Sequence, residues 1–248
     1  MITATALTKR HGTSTVVDDV SFTSPPGTVT GLLGPNGAGK SSTLRMLVGL
    51  SRPDSGEATI AGMPFHRLPN PGRVVGVMLD AAAQHGGRTG RETLRVSAET
   101  MGVDARRVEQ MLELVGLDAA AARKRVSRYS LGMRQRLGLA QAMLGDPDVL
   151  VLDEPANGLD PDGIRWMRDL LRQFADDGGT VLLSSHLLGE VEAVADRLVI
   201  IAAGSVRAAG PTDVLLQGRD LEPYYFDLTS SGAAAPTHPS STISGVSR

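Results

Sequence analysis

Gly34-Pro35-Asn36-Gly37-Ala38-Gly39-Lys40-Ser41 follows the pattern G-x-x-x-x-G-K-[ST], with a further hydroxyl at Ser42. Glycines in such a loop let the backbone curl, so that successive N–H groups point inward at a polyphosphate. A helix beginning at the loop's end aims its positive N-terminus at the same anion. Lys40 adds a mobile positive charge for β- and γ-phosphates, and Ser41 offers a hydroxyl to Mg²⁺. The competing reading is a glycine-rich turn in front of an ordinary helix. Lysine scarcity weighs against it. Of 25 basic residues only Lys9, Lys40 and Lys124 are lysines, so a motif that demands one is seldom met by accident. Context agrees. Residues 29–33 are a short apolar run, and residues 40–50 read as a helix with Leu44, Leu47 and Val48 on one face and Gly49 near its end.

Working outward, residues 57–60 read as a short strand between Ser55-Gly56 and Ala61-Gly62, and residues 74–79 as another. The middle of the chain is helical. Thr89-Gly90-Arg91-Glu92 has capping-box spacing, in which a hydroxyl and a carboxylate each satisfy an orphan N–H. The next helix starts near Asp104. Val108, Met111, Leu112 and Val115 then follow the i, i+3, i+4, i+7 rule, and Gly116 is a stop. Residues 137–144 continue the helical block. Strand character returns at 149–152, 180–183 and 198–201, each apolar throughout, as strands covered on both faces are. Helical patterns separate these runs. Strand–helix–strand alternation predicts an α/β fold with a parallel sheet between helices, and a helical insertion at residues 81–145.

Val149-Leu150-Val151-Leu152-Asp153-Glu154 is a buried strand that ends in two acids. Neighbouring side chains at a strand end point in different directions. Asp153 can therefore hold Mg²⁺ while Glu154 orients and deprotonates an attacking water. Such a base contributes roughly 10²–10⁴-fold to a rate. Alone, the pair fits a solvated turn before Pro155 equally well; beside a phosphate loop, the chemical reading is favoured.

The whole composition narrows the classes further. The chain has 248 residues, enough for one large α/β domain. A net charge of -2 argues against a nucleic-acid binder that relies on bulk positive charge. With 0 cysteines there is no disulfide, thiolate metal site or cysteine nucleophile. No apolar run approaches the roughly 18 residues of a membrane span, and the N-terminus lacks a basic-then-apolar secretory pattern. A membrane role would go through a partner. One domain over residues 1–228 leaves 229–248, a stretch rich in Ser, Thr, Gly, Ala and Pro. It buries too little apolar area to offset ordering entropy, so a disordered tail is expected.

A phosphate loop does not distinguish kinases, GTPases, motors and transport ATPases. Tyr129-Ser130-Leu131-Gly132-Met133-Arg134-Gln135-Arg136 resembles the L-S-G-G-Q signature of ATP-binding cassette (ABC) ATPases, and sits 23 residues before Asp153 as that signature does. Tyr129, Leu131 and Met133 depart from the pattern; the hydroxyl of Ser130 and the backbone of Gly132 remain. By itself the segment also reads as a serine opening a helix. Asn157-Gly158-Leu159-Asp160 is similar to the family's D-loop. Ser184-Ser185-His186 is similar to its switch-histidine segment, and the approach to Asp18-Asp19-Val20-Ser21-Phe22 to its opening, with His11 where an aromatic stacks on adenine. The family's Q-loop glutamine stands nine residues before the helix-opening threonine. Counting back from Thr89 gives Asp80, while the nearest glutamine is Gln84; spacing favours Asp80 as the Mg²⁺-side residue.

The resemblance implies a P-loop NTPase core with a mostly parallel sheet, an N-terminal antiparallel β portion and the helical subdomain. It implies a transporter's ATP-binding subunit using ATP and Mg²⁺. Gly34, Pro35, Asn36, Gly37, Ala38, Gly39, Lys40, Ser41, Ser42 and His11 would bind nucleotide in one copy. Ser130, Gly132 and Asp160 would serve the nucleotide of a second. Lys40, Glu154 and His186 would be catalytic; Ser41 and Asp153 would take the metal, with Asp80 or Gln84. The partners implied are a second cassette subunit, the same or different, and a separate multi-span permease, with no nucleic acid. That places the chain in the cytoplasm at the inner face of the membrane. The stretch from Val75 to Asp80 and from Arg88 to Arg91 resembles bacterial exporters linked to antibiotic or peptide resistance. The alternative is a soluble cassette ATPase acting on ribosomes or DNA. A GTPase is disfavoured because no lysine follows an asparagine as N-K-x-D requires.

Overall fold

The computed structural model describes residues 1–230. In chain order, β1 (Ile2–His11), β2 (Ser14–Ser24) and β3 (Thr28–Leu33) lead into α1 (Lys40–Leu47), followed by β4 (Ser55–Ile60) and β5 (Val75–Met78). Next come α2 (Gly90–Met101), α3 (Arg106–Leu114), α4 (Ala119–Arg123) and α5 (Leu131–Met143). Strands and helices then alternate: β6 (Val149–Asp153), α6 (Pro161–Asp176), β7 (Thr180–Ser185), α7 (Leu188–Glu192) and β8 (Arg197–Ala202). The chain continues with β9 (Ser205–Pro211), α8 (Thr212–Leu216) and α9 (Leu221–Ser230).

Two sheets result. A six-stranded sheet runs β5-β6-β7-β3-β8-β9 and a three-stranded one runs β2-β1-β4. The first five strands of the large sheet pair in parallel and only β9 is antiparallel. The small sheet is antiparallel. The expected mostly parallel core with an antiparallel N-terminal portion is therefore what the chain forms.

Alternation within single strands explains why they read as apolar throughout. Val149 and Val151 of β6 pack with Leu32, Leu182, Val199 and Ile201 toward α1 and the small sheet. Leu150 and Leu152 pack on the opposite face with Val181, Leu183, Leu198 and Ile200 toward α5, α6 and α7. Each fully buried Leu, Ile or Val contributes about 1.5–3 kcal/mol. The helical block reaches the sheet through α5 lying against β5. Gly76 makes that approach possible: a Cβ there would sit 2.2 Å from the carbonyl oxygen of Ala142.

Element ends differ from the sequence expectations for local reasons. The helix expected over 40–50 stops at Leu47, because the turn closes with Leu50 N–H donating to the Arg45 carbonyl and with Gly49 left-handed at φ 69°. The helix expected from Asp104 begins at Arg106, since the Asp104 carboxylate accepts the Arg106 N–H and turns the chain first. The helix expected over 137–144 starts earlier, at Leu131, where Ser130 caps it. The Thr89 capping box is present with both reciprocal bonds. At the other end α9 runs to Ser230, two residues into the stretch read as a tail; residues 231–248 lie outside the described residues. Among the described residues no helix is long and apolar enough to cross a membrane.

Candidate functional site

Parallel register gathers the site. Leu33 of β3 pairs with Ser185 of β7, and Ser184 pairs with Asp153 of β6. Three neighbouring strands thus end at one edge of the sheet. Gly34, the Asp153-Glu154 pair and the Ser184-Ser185-His186 segment all emerge there, at the carboxyl ends of strands where open α/β sheets take their ligands.

The phosphate loop is tightly fitted at its ends and open at its tip. A Cβ on Gly34 would lie 2.2 Å from the Ile201 carbonyl oxygen, and one on Gly39 would lie 2.5 Å from that of Val16. Gly39 also adopts φ 103° as it opens α1, a conformation an L side chain resists. Pro35, Asn36 and Gly37 are exposed, whereas Ala38 is buried. Lys40 is only 6% exposed and folds back over the loop, donating to the Gly34 carbonyl at 2.6 Å and the Pro35 carbonyl at 3.3 Å. Ser41 and Ser42 follow in the first turn of α1, half-buried.

The acids occupy the neighbouring strand end. Glu154 is left-handed at φ 50°, an uncommon state for a non-glycine residue. Its N–H bonds both the carbonyl (3.2 Å) and the hydroxyl (3.1 Å) of Ser184. The Ser184 hydroxyl donates in turn to Asp153 Oδ1. Glu154 Oε2 accepts from His186, from the ring Nδ1 at 2.6 Å and the main-chain N–H at 3.3 Å. With Nδ1 donating, Nε2 is left to face outward; it accepts when the ring is neutral and donates when it is protonated.

These residues fit Mg²⁺. Neither Ser41 Oγ nor Asp153 Oδ2 is hydrogen-bonded to another described residue, and both are hard oxygen donors. No group of three His, Cys, Asp or Glu forms a cage among the described residues. That suits a cation that takes one or two protein oxygens and completes its shell from phosphates and water.

His11 lies where β1 turns into β2, exposed and paired with Ser14. Gly204 fastens β2 beside the loop, accepting from the Asp18 N–H at 2.8 Å and donating to the Ala38 carbonyl at 3.2 Å. Ser130, Gly132 and Asp160 form a separate group. Ser130 Oγ accepts from the Met133 N–H at 3.2 Å, and Asp160 Oδ1 from the Gly163 N–H at 2.9 Å; each caps its own helix. The helix-opening reading of Ser130 is thus realised, yet its O–H remains free to donate. Gly132 packs on the turn before α6, where a Cβ would lie 3.0 Å from the Gly158 carbonyl. Leu131 is 51% exposed beside it. No hydrogen bond joins this group to residues 34–42 among the described residues. Tyr129 is buried instead, its hydroxyl bonded to the Ala121 carbonyl at 2.7 Å, so that departure from the signature serves packing.

Asp80 and Gln84 both line a cleft of ≈ 340 Å³ between β5, α2 and α5. Gln84 Nε2 donates to the Arg134 carbonyl at 3.2 Å, while its Oε1 is buried without a hydrogen bond. Two residues stand in the motif segments quoted above but were given no role of their own. Ser184 is one, a hydroxyl directly after the apolar run Val181, Leu182 and Leu183. Gln135 is the other: it is buried in α5 and donates to the Glu154 carbonyl at 3.5 Å.

Comparison with known proteins agrees with this geometry. The sequence profile described as ABC transporter matches residues 17–157. The chain is 39% identical over 218 residues to the bacitracin transport ATP-binding protein BcrA of Bacillus licheniformis, covering 87% of this chain and 71% of that protein. It is 41% identical over 213 residues to the Nod factor export ATP-binding protein I of Paraburkholderia xenovorans, covering 84% and 70%. The chain spans roughly two thirds of the length of such relatives. Among solved structures, an ATP-binding subunit of an ABC transporter superposes with TM-score 0.84 at 27% identity, over 92% of this chain and 99% of that one. A dimeric ATP-binding cassette bound to ADP and Pi shares the fold, with TM-score 0.75 at 21% identity over 85% and 98%. The chain belongs to the ABC transporter family and is one of its ATP-binding subunits, an ATPase of the kind that powers transport.

Proposed function

We propose that this chain is the motor of an exporter, working as a head-to-tail pair of cassettes seated on a separate permease at the inner face of the membrane. Each ATP would be held between residues 34–42 of one subunit and the Ser130–Gly132 segment of the other. The loop's amides, Lys40 and the N-terminus of α1 bind the phosphates. Across the dimer the partner's α5 would add a second helix N-terminus and a serine O–H. Binding energy then closes the pair. Ser41 and Asp153 would hold Mg²⁺, which when bound would supply charge neutralisation to the phosphates.

Glu154 takes the proton of the attacking water. Oε2 is occupied by His186, so Oε1 is the oxygen left to do so. His186 Nε2, as a donor, meets the γ-phosphate. Cleavage removes the link across the interface, and like-charged products favour opening. Asp160, as cap of α6, holds the turn that meets the partner. His11 stacks on adenine. The helical block, residues 81–145, carries the signature segment, and the Asp80–Arg88 loop meets the permease. Domain limits of 1–228 follow the same scheme. The likeness to a Nod factor export protein suggests the direction, and the likeness to a bacitracin transport protein suggests an antibiotic or peptide cargo.

The observation that carries this reading is the convergence of Lys40, Glu154 and His186 on one sheet edge. A ribosome- or DNA-directed role draws no support from the relatives above. The test is a pull-down on the native membrane combined with an ATPase assay. A multi-span membrane protein and Mg²⁺-dependent phosphate release support the proposal. Ribosomal proteins in the eluate, or no nucleotide retention at millimolar ATP, overturn it.

A further inference from the structure

We infer that Ser184 is a positioning residue that sets the Asp153 carboxylate for the cation and holds the Glu154 backbone in its left-handed turn. The inference rests on the reading of Asp153 as a metal ligand given above. Ser184 is 0% exposed, next to last in β7 and directly after the apolar run Val181, Leu182 and Leu183. A hydroxyl buried there requires partners. It has two, and they are the two consecutive acids of the site. Its O–H donates to Asp153 Oδ1, and its oxygen accepts the Glu154 N–H at 3.1 Å. The accepted bond occupies a lone pair and directs the hydroxyl proton at the carboxylate.

Two consequences follow. Oδ1 is engaged, so the carboxylate plane is fixed and Oδ2 becomes the oxygen presented outward. Glu154 N–H keeps a second acceptor in the Ser184 carbonyl at 3.2 Å. Losing the hydroxyl therefore frees Asp153 more than it frees Glu154. Groups that orient a metal's ligands typically carry 10–100-fold in metal affinity or activity.

The experiment uses the full chain, Mg²⁺ and a non-hydrolysable ATP analogue in titration calorimetry, with S184T and S184V as a shape-matched pair. S184A is added if it folds. S184V raises the Mg²⁺ concentration for half-maximal effect on analogue affinity by about 10-fold or more. Analogue affinity in EDTA stays within twofold of the parent, and S184T restores the parent's Mg²⁺ midpoint. A purely structural role would lower the melting temperature of both variants and leave that midpoint in place. The inference is overturned if S184V matches the parent's midpoint within twofold, or if S184T is as impaired as S184V. A parent protein whose analogue affinity ignores Mg²⁺ overturns the metal-ligand reading itself, a result distinct from either.

Discussion

Glu154 Oε2 accepts from His186 Nδ1 at 2.6 Å, and the same oxygen accepts the main-chain N–H of His186 at 3.3 Å. One carboxylate oxygen thus fixes both the ring and the strand end that carries it. The other oxygen remains for water. Strand pairing brings the two residues together: β6 and β7 are adjacent and in register, so residues just beyond each strand meet although 32 positions separate them.

Glu154→Gln removes the carboxylate proposed as the base and keeps a polar group of the same shape. ATP hydrolysis is expected to fall roughly 10²–10⁴-fold, while ATP affinity changes by less than about threefold. The dead variant should accumulate as an ATP-bound dimer. Phosphate-release assays and size exclusion with ATP check both; unimpaired hydrolysis, or only monomer at saturating ATP, contradicts the assignment. His186→Ala is expected to lower turnover as well, with the nucleotide still bound.

Lys40 reaches no carboxylate in this structure; its contacts are two loop carbonyls. Lys40→Met therefore breaks no ion pair and costs the fold little. It removes a charge-assisted hydrogen bond to phosphate of about 1.5–3 kcal/mol, or roughly 10–100-fold in ATP affinity. Calorimetric titration of ATP, beside a melting curve that barely moves, is the check.

The loop glycines are not equivalent. Gly37 has φ 81° with nothing within 4 Å of a Cβ, whereas a Cβ on Gly34 meets backbone at 2.2 Å. Gly37→Ala is expected to cost about 1 kcal/mol from its backbone conformation alone. Gly34→Ala must displace β8 or the loop, and its cost falls in the range of about 1–3 kcal/mol or more. Urea midpoints should rank the parent above G37A and G37A above G34A. The reverse order would show that the loop yields freely at Gly34.

Much of this site was legible because its chemistry is local. Eight residues spell the phosphate loop, and an apolar strand ending in Asp153-Glu154 announces the acids. Strand runs such as 149–152 and 198–201 were readable because both faces are buried, leaving no polar positions to blur them. What failed to show was long-range. Ser184 is only the residue two before His186 until register sets it opposite Asp153. Tyr129 reads as a damaged signature until the Ala121 carbonyl and the close approach of Gly90 account for it. The exposed strands of the small sheet alternate weakly, and β9 carries no fully buried residue, so neither gave a clean pattern.

Acid should loosen the start of α2 through Glu92. The Thr89 N–H bonded to its carboxylate holds its pKa below the ordinary value of 4.5. A depressed folded-state pKa means that the stabilisation is present above the unfolded value and is lost as pH falls through the folded one. Between neutral pH and about 5 the contribution should be constant, then decline on further acidification. Glu92→Gln should flatten this part of the stability–pH curve in urea melts. Thr89→Ala removes the other half of the box and should cost about 1 kcal/mol at neutral pH. An unchanged acid limb in the Gln variant would assign the loss to other carboxylates.

Asp80 and Gln84 line one cleft, yet they are bound to different things. Gln84 is committed to α5 through its bond to the Arg134 carbonyl, one turn after Ser130, so its loop and the signature helix are joined. Asp80 is exposed at the end of β5, nine residues before Thr89. If Asp80 serves the metal side, Asp80→Ala raises the Mg²⁺ requirement of hydrolysis and Gln84→Ala does not. Gln84→Ala instead cuts the tie between the Asp80–Arg88 loop and α5, at about 1 kcal/mol of stability. Its expected signature is a lowered melting temperature with Mg²⁺ dependence intact. Equal and negligible effects of both substitutions on the Mg²⁺ titration would remove both residues from the metal site and leave Asp153 with Ser41 as its protein ligands.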